Sequence, residues 1–249
     1  MKTTKYLINK LLDKFGYKIS KSNNTDELIK IYKYKNYEEY KKTQVRHNKN
    51  KIRYIFSDEN TLDSISDYLL KNMSQSNYKG ICHGSRNGFE VHFFSNKLLN
   101  SEIIGTDISE NVTNFKNSII HDFHEERKDW ISYFDFVYSN SLDQSYDPKK
   151  ALQVWLGQIR KDGYLFLELT KQHTVQASGS MDPFGVEIQY FPYLIVEWFG
   201  GKVSIQLIKN IKSNKNRERR VDMNKVIEGA SFVAEGLTSY VFIIKKLYD

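Results

Sequence analysis

The sequence contains a single cysteine, Cys82, among its 249 residues. One cysteine excludes an internal disulfide and any metal site built from several cysteines. Proline is also scarce, with three residues, so no proline-rich linker marks a domain boundary. No apolar run approaches the roughly 20 residues that a membrane-spanning helix needs. Polar residues interrupt the segment after the basic N-terminus, unlike a signal peptide. We therefore expect a cytoplasmic protein without a membrane span.

The chain is basic, with 37 Lys and Arg against 30 Asp and Glu and a net charge of +7. An excess of positive charge favours an anionic partner. RNA stays open as a partner because residues 209–220 include Arg217, Arg219 and Arg220. The abundance of Lys, Asn, Ile and Tyr is also typical of an AT-rich genome. Composition therefore favours an anionic small molecule over nucleic acid as the partner.

Helical periodicity dominates the first part of the chain. Residues 5–15 carry apolar side chains at helical spacing, and Gly16 follows as a C-terminal stop. Residues 59–73 show the same apolar spacing. The period changes to that of strands from residue 78 onward. We assign residues 1–75 to an N-terminal helical extension that serves as a lid, and residues 76–249 to the main domain.

A second helix is predicted over residues 36–52, and one of its faces is unusual. Residues recur there at intervals of three and four, which places them on one side of a helix. They are Tyr37, Tyr40, Gln44, Asn48 and Lys51. A stripe of this composition predicts either a solvated surface or a face turned toward a polar cavity that holds the substrate.

Strands and helices alternate after residue 78, which predicts an α/β fold with a mostly parallel sheet. The predicted strands are 79–83, 102–106, 118–121, 134–139 and 164–169, with helices at 89–99 and 148–159. Residues 161–163 are predicted as a turn. Two later segments, 203–208 and 239–244, predict an antiparallel strand pair at the C-terminal end.

The most informative feature is a glycine-bearing turn followed by an acid at the end of the next strand. Gly84 and Gly88 follow the first strand, and Asp107 ends the second. This combination predicts a nucleoside-cofactor site, with the acid binding ribose hydroxyls. A nicotinamide dinucleotide needs three closely spaced glycines to hold its pyrophosphate, and Arg86 interrupts that pattern. S-adenosylmethionine has no pyrophosphate and fits the turn better, although a nicotinamide-dependent reductase stays as an alternative.

The turn and its surroundings resemble the class I S-adenosylmethionine-dependent methyltransferases. Their first motif reads acid-x-Gly-x-Gly-x-Gly, and the matching positions here are Cys82, Gly84, Arg86 and Gly88. The acid and the middle glycine are therefore replaced. The resemblance is closest to a bacterial subgroup, often found in surface-polysaccharide biosynthesis. Its sequences Cys-His-Gly-x-Arg-Asn-Gly, Gly-Thr-Asp-Ile-Ser, Asp-Phe-His-Glu and Asp-Pro-Phe-Gly all occur here.

The resemblance implies a Rossmann-like methyltransferase fold, with a seven-stranded sheet and an antiparallel C-terminal pair. It also implies S-adenosylmethionine as the cofactor. Asp107 would bind the ribose, Ile108 would pack on the adenine, and Asp122 would accept a hydrogen bond from the adenine amine. The remaining cofactor contacts would come from Cys82, His83, Gly84, Ser85, Arg86, Gly88, Phe123, Asn140 and Leu142. His83, Arg86 or a backbone carbonyl could take the place of the missing acid, and Arg86 could reach the cofactor's carboxylate.

The acceptor site is expected where the fourth and fifth strands of the domain end. His173 is the first candidate for a general base, because a neutral imidazole suits that task near pH 7; Asp143 and His124 are further catalytic candidates. Gln144, Tyr146 and Asp182 are candidate acceptor contacts, together with Tyr40, Gln44, Asn48 and Lys51 from the helix stripe. The loop from His173 to Phe184 is predicted to cover the substrate. Asp143, Asp147 and His173 lack diagnostic metal spacing, so we expect no metal.

The sequence thus favours a methyltransferase that O-methylates a small polar acceptor in capsule or surface-glycan synthesis. The acceptor would be a sugar, a nucleotide-linked intermediate or a phosphorylated intermediate, including a phosphate-type oxygen. An RNA-binding or RNA-methylating protein of the same fold is the alternative. Base-methylating DNA enzymes are disfavoured, because Ser139-Asn140-Ser141-Leu142 replaces the Asp/Asn-Pro-Pro-aromatic motif and the only cysteine lies in the cofactor turn.

Overall fold

A computed structural model describes residues 27–213, 230–232 and 238–248. The predicted helix over 5–15, and Arg217, Arg219 and Arg220 of the basic segment, lie outside the described residues. The helices are α1 (Tyr37–Asn50), α2 (Glu59–Asn72), α3 (Phe89–Lys97), α4 (Pro148–Gln158) and α5 (Phe191–Phe199). The strands are β1 (Ile29–Ile31), β2 (Tyr54–Ile55), β3 (Lys79–His83), β4 (Glu102–Asp107), β5 (Ser118–Ile120), β6 (Phe134–Ser139), β7 (Ile159–Thr170), β8 (Phe184–Val186), β9 (Val203–Lys212), β10 (Ser231–Phe232) and β11 (Thr238–Lys246).

Seven strands form the central sheet, in the order β5-β4-β3-β6-β7-β11-β9. The first five run parallel, whereas β11 is antiparallel to both β7 and β9. The predicted sheet, with its antiparallel C-terminal pair, is confirmed. The chain order reverses between β3 and β6, and such a switch point leaves a crevice at the carboxyl ends of the strands.

The two faces of the sheet are covered by different helices. On one face, α4 and α5 pack in an apolar cluster that includes Trp155, Leu194 and Phe242. On the other face, α2 and α3 pack in a cluster that includes Leu62 and Phe94. The helix α2 is therefore part of the main core, although the predicted boundary at residue 75 assigned it to the extension. None of the helices described is long and apolar enough to cross a membrane.

One predicted connection differs in the structure. The turn predicted at residues 161–163 is instead an irregularity inside β7, which begins at Ile159. Asp162 has a left-handed conformation there, with φ of 64°, and the register with β6 shifts between Phe134 and Phe136. The Asp-Gly pair therefore bends a strand rather than ending one, as a bulge does.

Two short pairings join distant parts of the chain. Strand β1 pairs antiparallel with β8, and β2 pairs parallel with β10. These strands have two or three residues each, so the sequence gives them no detectable period. The first pairing ties the segment before α1 to the predicted covering loop.

Candidate active site

A cleft opens at the carboxyl ends of β3, β6 and β7. It encloses about 740 Å³, including its open mouth. Its walls come from the turn after β3, the segment after β6, the end of β7 and the connection between α1 and α2. The predicted site residues that line it are Lys51, Gly84, Ser85, Arg86, Asn140, Asp143, Gln144, His173 and Asp182.

The turn after β3 takes a left-handed backbone at alternate residues. Gly84 has a φ of 71°, Arg86 41° and Gly88 69°. A Cβ atom on Gly84 would lie 2.5 Å from the Ser141 side chain, so glycine is required there on two grounds. Arg86 adopts the conformation of the glycine that it replaces. Its amide N–H donates to a carboxylate oxygen of Asp107, at 3.2 Å.

Arg86 and Asn87 hold the connection between α1 and α2 against the turn. The Arg86 guanidinium lies 4.8 Å from the centre of the Phe56 ring, and its Nη1 donates to the Tyr54 carbonyl at 3.4 Å. Asn87 Nδ2 donates to the carbonyls of Ile52, at 3.0 Å, and Tyr54, at 3.1 Å. The turn therefore anchors a protein segment as well as lining the cleft.

Asp107 lies at the end of β4, and the extension covers it. Its second carboxylate oxygen accepts from the Ser109 amide at 2.9 Å, and the Asn48 side chain of α1 also bonds to the carboxylate. Burial raises the Asp107 pKa, and the hydrogen bonds and the Arg86 charge act against that rise. Ile108 follows as a half-buried residue. The predicted ribose acid thus faces the stripe of α1.

Asp122 lies under the other end of α1. The Tyr37 hydroxyl donates to one of its oxygens at 2.7 Å, and His124 bonds to the other through its backbone N–H, at 3.0 Å, and its Nδ1, at 2.7 Å. Burial opposes ionisation, but these bonds outweigh it and lower the Asp122 pKa to about 2. Tyr40 and Tyr146 pack beside the His124 ring, with centroids at 5.7 and 4.2 Å.

Two predicted histidines lie outside the cleft. His124 is fully buried, and its second nitrogen bonds to Ser145 Oγ at 2.7 Å, so the predicted role as a catalytic base is not supported. His83 bonds to Thr106 and Gln158 at 2.8 and 2.7 Å and stacks on Trp155. Burial lowers the His83 pKa to about 3. Both imidazoles are core groups whose nitrogens are already bonded.

The remaining predicted cofactor residues belong to the core. The Cys82, Phe123 and Leu142 side chains are buried. Burial raises the pKa of the Cys82 thiol, and the neighbouring Glu90 carboxylate adds to the rise. These three residues are not part of the cleft lining; Phe123 and Leu142 pack in one apolar cluster and Cys82 in the other.

His173 and Asp143 come together at the cleft, with 3.5 Å between Nε2 and Oδ2. The Thr170 amide donates to His173 Nδ1 at 3.4 Å, so the ring proton of a neutral imidazole lies on Nε2 and faces Asp143. The other Asp143 oxygen, Oδ1, is buried without a hydrogen-bond partner among the described residues. Burial raises the Asp143 pKa, and His173 opposes the rise. In this arrangement Asp143 Oδ1, rather than a nitrogen of His173, is the unbonded acceptor of the pair.

The middle of the α1 stripe is buried, whereas Tyr37 at its start is exposed. Tyr40, Gln44 and Asn48 are buried. Gln44 Nε2 donates to the Met181 carbonyl at 3.1 Å, which joins the helix to the predicted covering loop. Together with the β1–β8 pairing, this contact makes residues 29–50 and 173–184 one cover. At its edge, Lys51 and Asp182 line the cleft.

A buried polar network at the back of the cleft has no counterpart in the sequence analysis. Ser57 donates to Glu90 at 2.6 Å, Tyr138 donates to Glu168 at 2.6 Å, and the two hydroxyls lie 3.0 Å apart. Asn140 Nδ2 also donates to Ser57 Oγ, at 2.9 Å, so the network reaches the segment after β6. Burial raises the Glu168 pKa to about 7, against hydrogen bonds from Ser239 and Tyr138. The only signal of this network in the sequence is the position of Glu168 near a strand end.

No protein-family model and no curated protein sequence matches the chain. Solved structures do. The plantazolicin methyltransferase BpumL, in complex with a pentazolic desmethylPZN analog and SAH, superposes with a TM-score of 0.54 at 13% identity, covering 76% of this chain and 84% of that one. The fold is that of the class I methyltransferases. A complex between a Haloferax volcanii methyltransferase activator and a methyltransferase gives 0.54 at 11% identity, covering 87% of this chain and 100% of its match.

The reaction is not fixed by this fold. The [4+2]-cyclase SpnF has a TM-score of 0.53 to this chain at 11% identity, with 75% of this chain and 81% of that chain covered. Among the described residues, no group of three His, Cys, Asp or Glu side chains could hold a metal ion. Function must be argued from the cleft itself.

Proposed function

We propose that the protein transfers a methyl group from S-adenosylmethionine to a small polar acceptor. The observation that carries the proposal is the position of Asp107, opposite the left-handed turn at the switch point of the sheet. A carboxylate placed there can bind two ribose hydroxyls. When bound, the cofactor supplies an electrophilic methyl group on a sulfonium.

The residues present fit this cofactor. The turn from Gly84 to Arg86 lines the cleft, so a ligand there can lie against its backbone. Buried Arg86 keeps its Nε without a partner among the described residues and offers a donor to the methionine carboxylate. Asp122 is held ionised, as an acceptor for the adenine amine. The cover must move at Asn48 and Tyr37 for both acids to be reached.

The acceptor side combines one proton acceptor with polar contacts. Asp143 Oδ1 would take the proton of an acceptor hydroxyl, and His173 would orient its carboxylate. Lys51 suits a phosphate or carboxylate, while Gln144 and Asp182 suit sugar hydroxyls. This set supports O-methylation of a sugar, a nucleotide-linked sugar or a phosphorylated intermediate. Together with the motif resemblance, it supports a place in capsule or surface-glycan synthesis and a cytoplasmic location.

Titration calorimetry with S-adenosylhomocysteine tests the cofactor, with NAD⁺ and NADPH as matched nucleotide controls. We expect binding of the first and no heat from the other two. Nicotinamide binding without S-adenosylhomocysteine binding would replace the methyltransferase by a reductase. Incubation with S-adenosylmethionine and a panel of sugar phosphates, nucleotide sugars and short RNA, read by mass spectrometry, then identifies the acceptor class. Methylation of RNA alone would overturn the small-molecule assignment.

A further inference from the structure

Two buried charged groups beside the turn each keep one atom unbonded, and both groups line the same cleft. Arg86 Nε and Glu90 Oε2 have no hydrogen-bond partner among the described residues. The two residues are 9% and 6% exposed. The two side chains attract each other electrostatically, and both line the cleft. Arg86 Nε is therefore left to donate to an anionic group of a ligand, and Glu90 Oε2 is left to accept from a cationic one.

Glu90 is a neighbour of Cys82, which stands at the position of the missing acid. It belongs to the first turn of α3 and is held by Ser57, whose hydroxyl donates to Oε1 at 2.6 Å. It is close enough to Cys82 to raise the pKa of that thiol further, after burial itself. An acid at residue 82 would therefore place two carboxylates together, which like-charge repulsion disfavours. One acid is sufficient, and the chain supplies it from the helix.

We propose that Glu90 binds the α-ammonium group of the cofactor's amino acid end while Arg86 binds its α-carboxylate. Glu90 thereby takes the place of the strand-end acid that Cys82 replaces. This inference rests on the proposed cofactor. Ser57 fixes one oxygen of Glu90 and leaves the other for the ligand, so the carboxylate is oriented before binding. Charge-assisted hydrogen bonds of this kind are about twice as strong as neutral ones.

Three ligands distinguish the contact of Glu90 with the ammonium group from that of Arg86 with the carboxylate. S-adenosylhomocysteine carries both charged groups, decarboxylated S-adenosylmethionine keeps only the ammonium, and methylthioadenosine has neither. By calorimetry, we expect Glu90→Gln to lower the affinity for S-adenosylhomocysteine and for decarboxylated S-adenosylmethionine by roughly 10- to 100-fold. The affinity for methylthioadenosine should change by less than about twofold. Arg86→Gln should weaken only S-adenosylhomocysteine by a comparable factor.

Asp135→Asn is the matched control, because that carboxylate is also buried and both of its oxygens are bonded, by the Lys79 amide and by Arg160, but it does not line the cleft. It should change S-adenosylhomocysteine affinity by less than about threefold. Ligand-free Glu90→Gln should melt no lower than wild type, because the change removes a buried charge. Unchanged S-adenosylhomocysteine binding by Glu90→Gln, or an equal loss in Asp135→Asn, would overturn the inference and leave the proposed function intact. A wild-type protein that binds none of the three ligands would overturn the proposed function itself.

Discussion

The Tyr37 hydroxyl donates a 2.7 Å hydrogen bond to Asp122, which lies 85 residues further along the chain. Burial and the Asp122 carboxylate both raise the pKa of this phenol, so the proton stays on Tyr37. The bond joins the helical extension to the acid that we assign to adenine. The extension and the adenine amine would therefore compete for the same carboxylate.

Removing this bond should ease cofactor entry. We expect Tyr37→Phe to bind S-adenosylhomocysteine about fivefold tighter, or to associate faster by that factor, because one hydrogen bond contributes about 1 kcal/mol. Stopped-flow fluorescence measures the rate and calorimetry the affinity. Tyr193→Phe, at an exposed position on α5, is the control and should behave as wild type. Weaker binding by Tyr37→Phe would mean that the phenol contacts the cofactor directly.

Replacing Arg86 by glycine should lower the affinity for the cofactor while leaving the stability of the fold nearly unchanged. A left-handed arginine is strained by roughly 1–2 kcal/mol, and loss of its contact with Phe56 costs a similar amount. We expect Arg86→Gly to leave the free energy of unfolding within about 1 kcal/mol of wild type. Amide exchange over residues 52–56 should accelerate, and S-adenosylhomocysteine affinity should fall. Arg127→Gly removes a similar guanidinium–ring contact, with Trp130, and should alter neither the exchange nor the affinity.

The order of effects at the acceptor side tests which group takes the proton. With a hydroxyl acceptor, we expect Asp143→Asn to lower kcat by roughly 100- to 10,000-fold and His173→Gln by about tenfold, both with little change in KM. An acceptor with an anionic oxygen needs no base and should be methylated by both variants at near wild-type rates. A larger loss in His173→Gln would return the role of base to the histidine.

The buried network makes stability depend on pH. The folded-state pKa of Glu168, about 7, lies above its ordinary 4.5. Its stabilising contribution is therefore complete below about pH 4.5 and is lost as the pH rises through 7, by up to about 3 kcal/mol. The glutamine of Glu168→Gln does not ionise. The melting temperature of this variant minus that of wild type should therefore increase between pH 5 and pH 8. Glu126→Gln, at an exposed position, should track wild type; a constant difference for Glu168→Gln would contradict the network.

The central sheet was predictable because each of its strands carries a local pattern. Residues 134–139, for example, are buried throughout and read as an apolar run between polar residues. The glycine turn was predictable because it comes directly after β3, and Asp107 was predictable because it is the last residue of β4. His173 and Asp143 could both be named as candidates because they follow strand ends on the same edge of the sheet, but their contact with each other was not predicted.

What escaped prediction depends on contacts between distant segments. Glu90 reads as an ordinary acid in the first turn of a helix, and only its contact with Ser57 and its position beside Cys82 reveal another role. The core positions of His83 and His124 depend on Trp155 and Ser145, which no local pattern connects to them. Likewise, the tautomer of His173 is set by a backbone amide that the sequence does not display.

The contact between Arg86 and Phe56 has a consequence for how such sequences diverge. The turn and the segment from Ile52 to Phe56 are joined by direct contacts. Arg86 and Asn87 donate hydrogen bonds to carbonyls of that segment, and the Arg86 guanidinium packs on the Phe56 ring. A return to glycine at residue 86 removes the reason for an aromatic at residue 56, and loss of that ring leaves a buried guanidinium without a surface. Related chains should therefore gain or lose the two residues together, so that the cofactor turn and the helical extension are inherited as a pair.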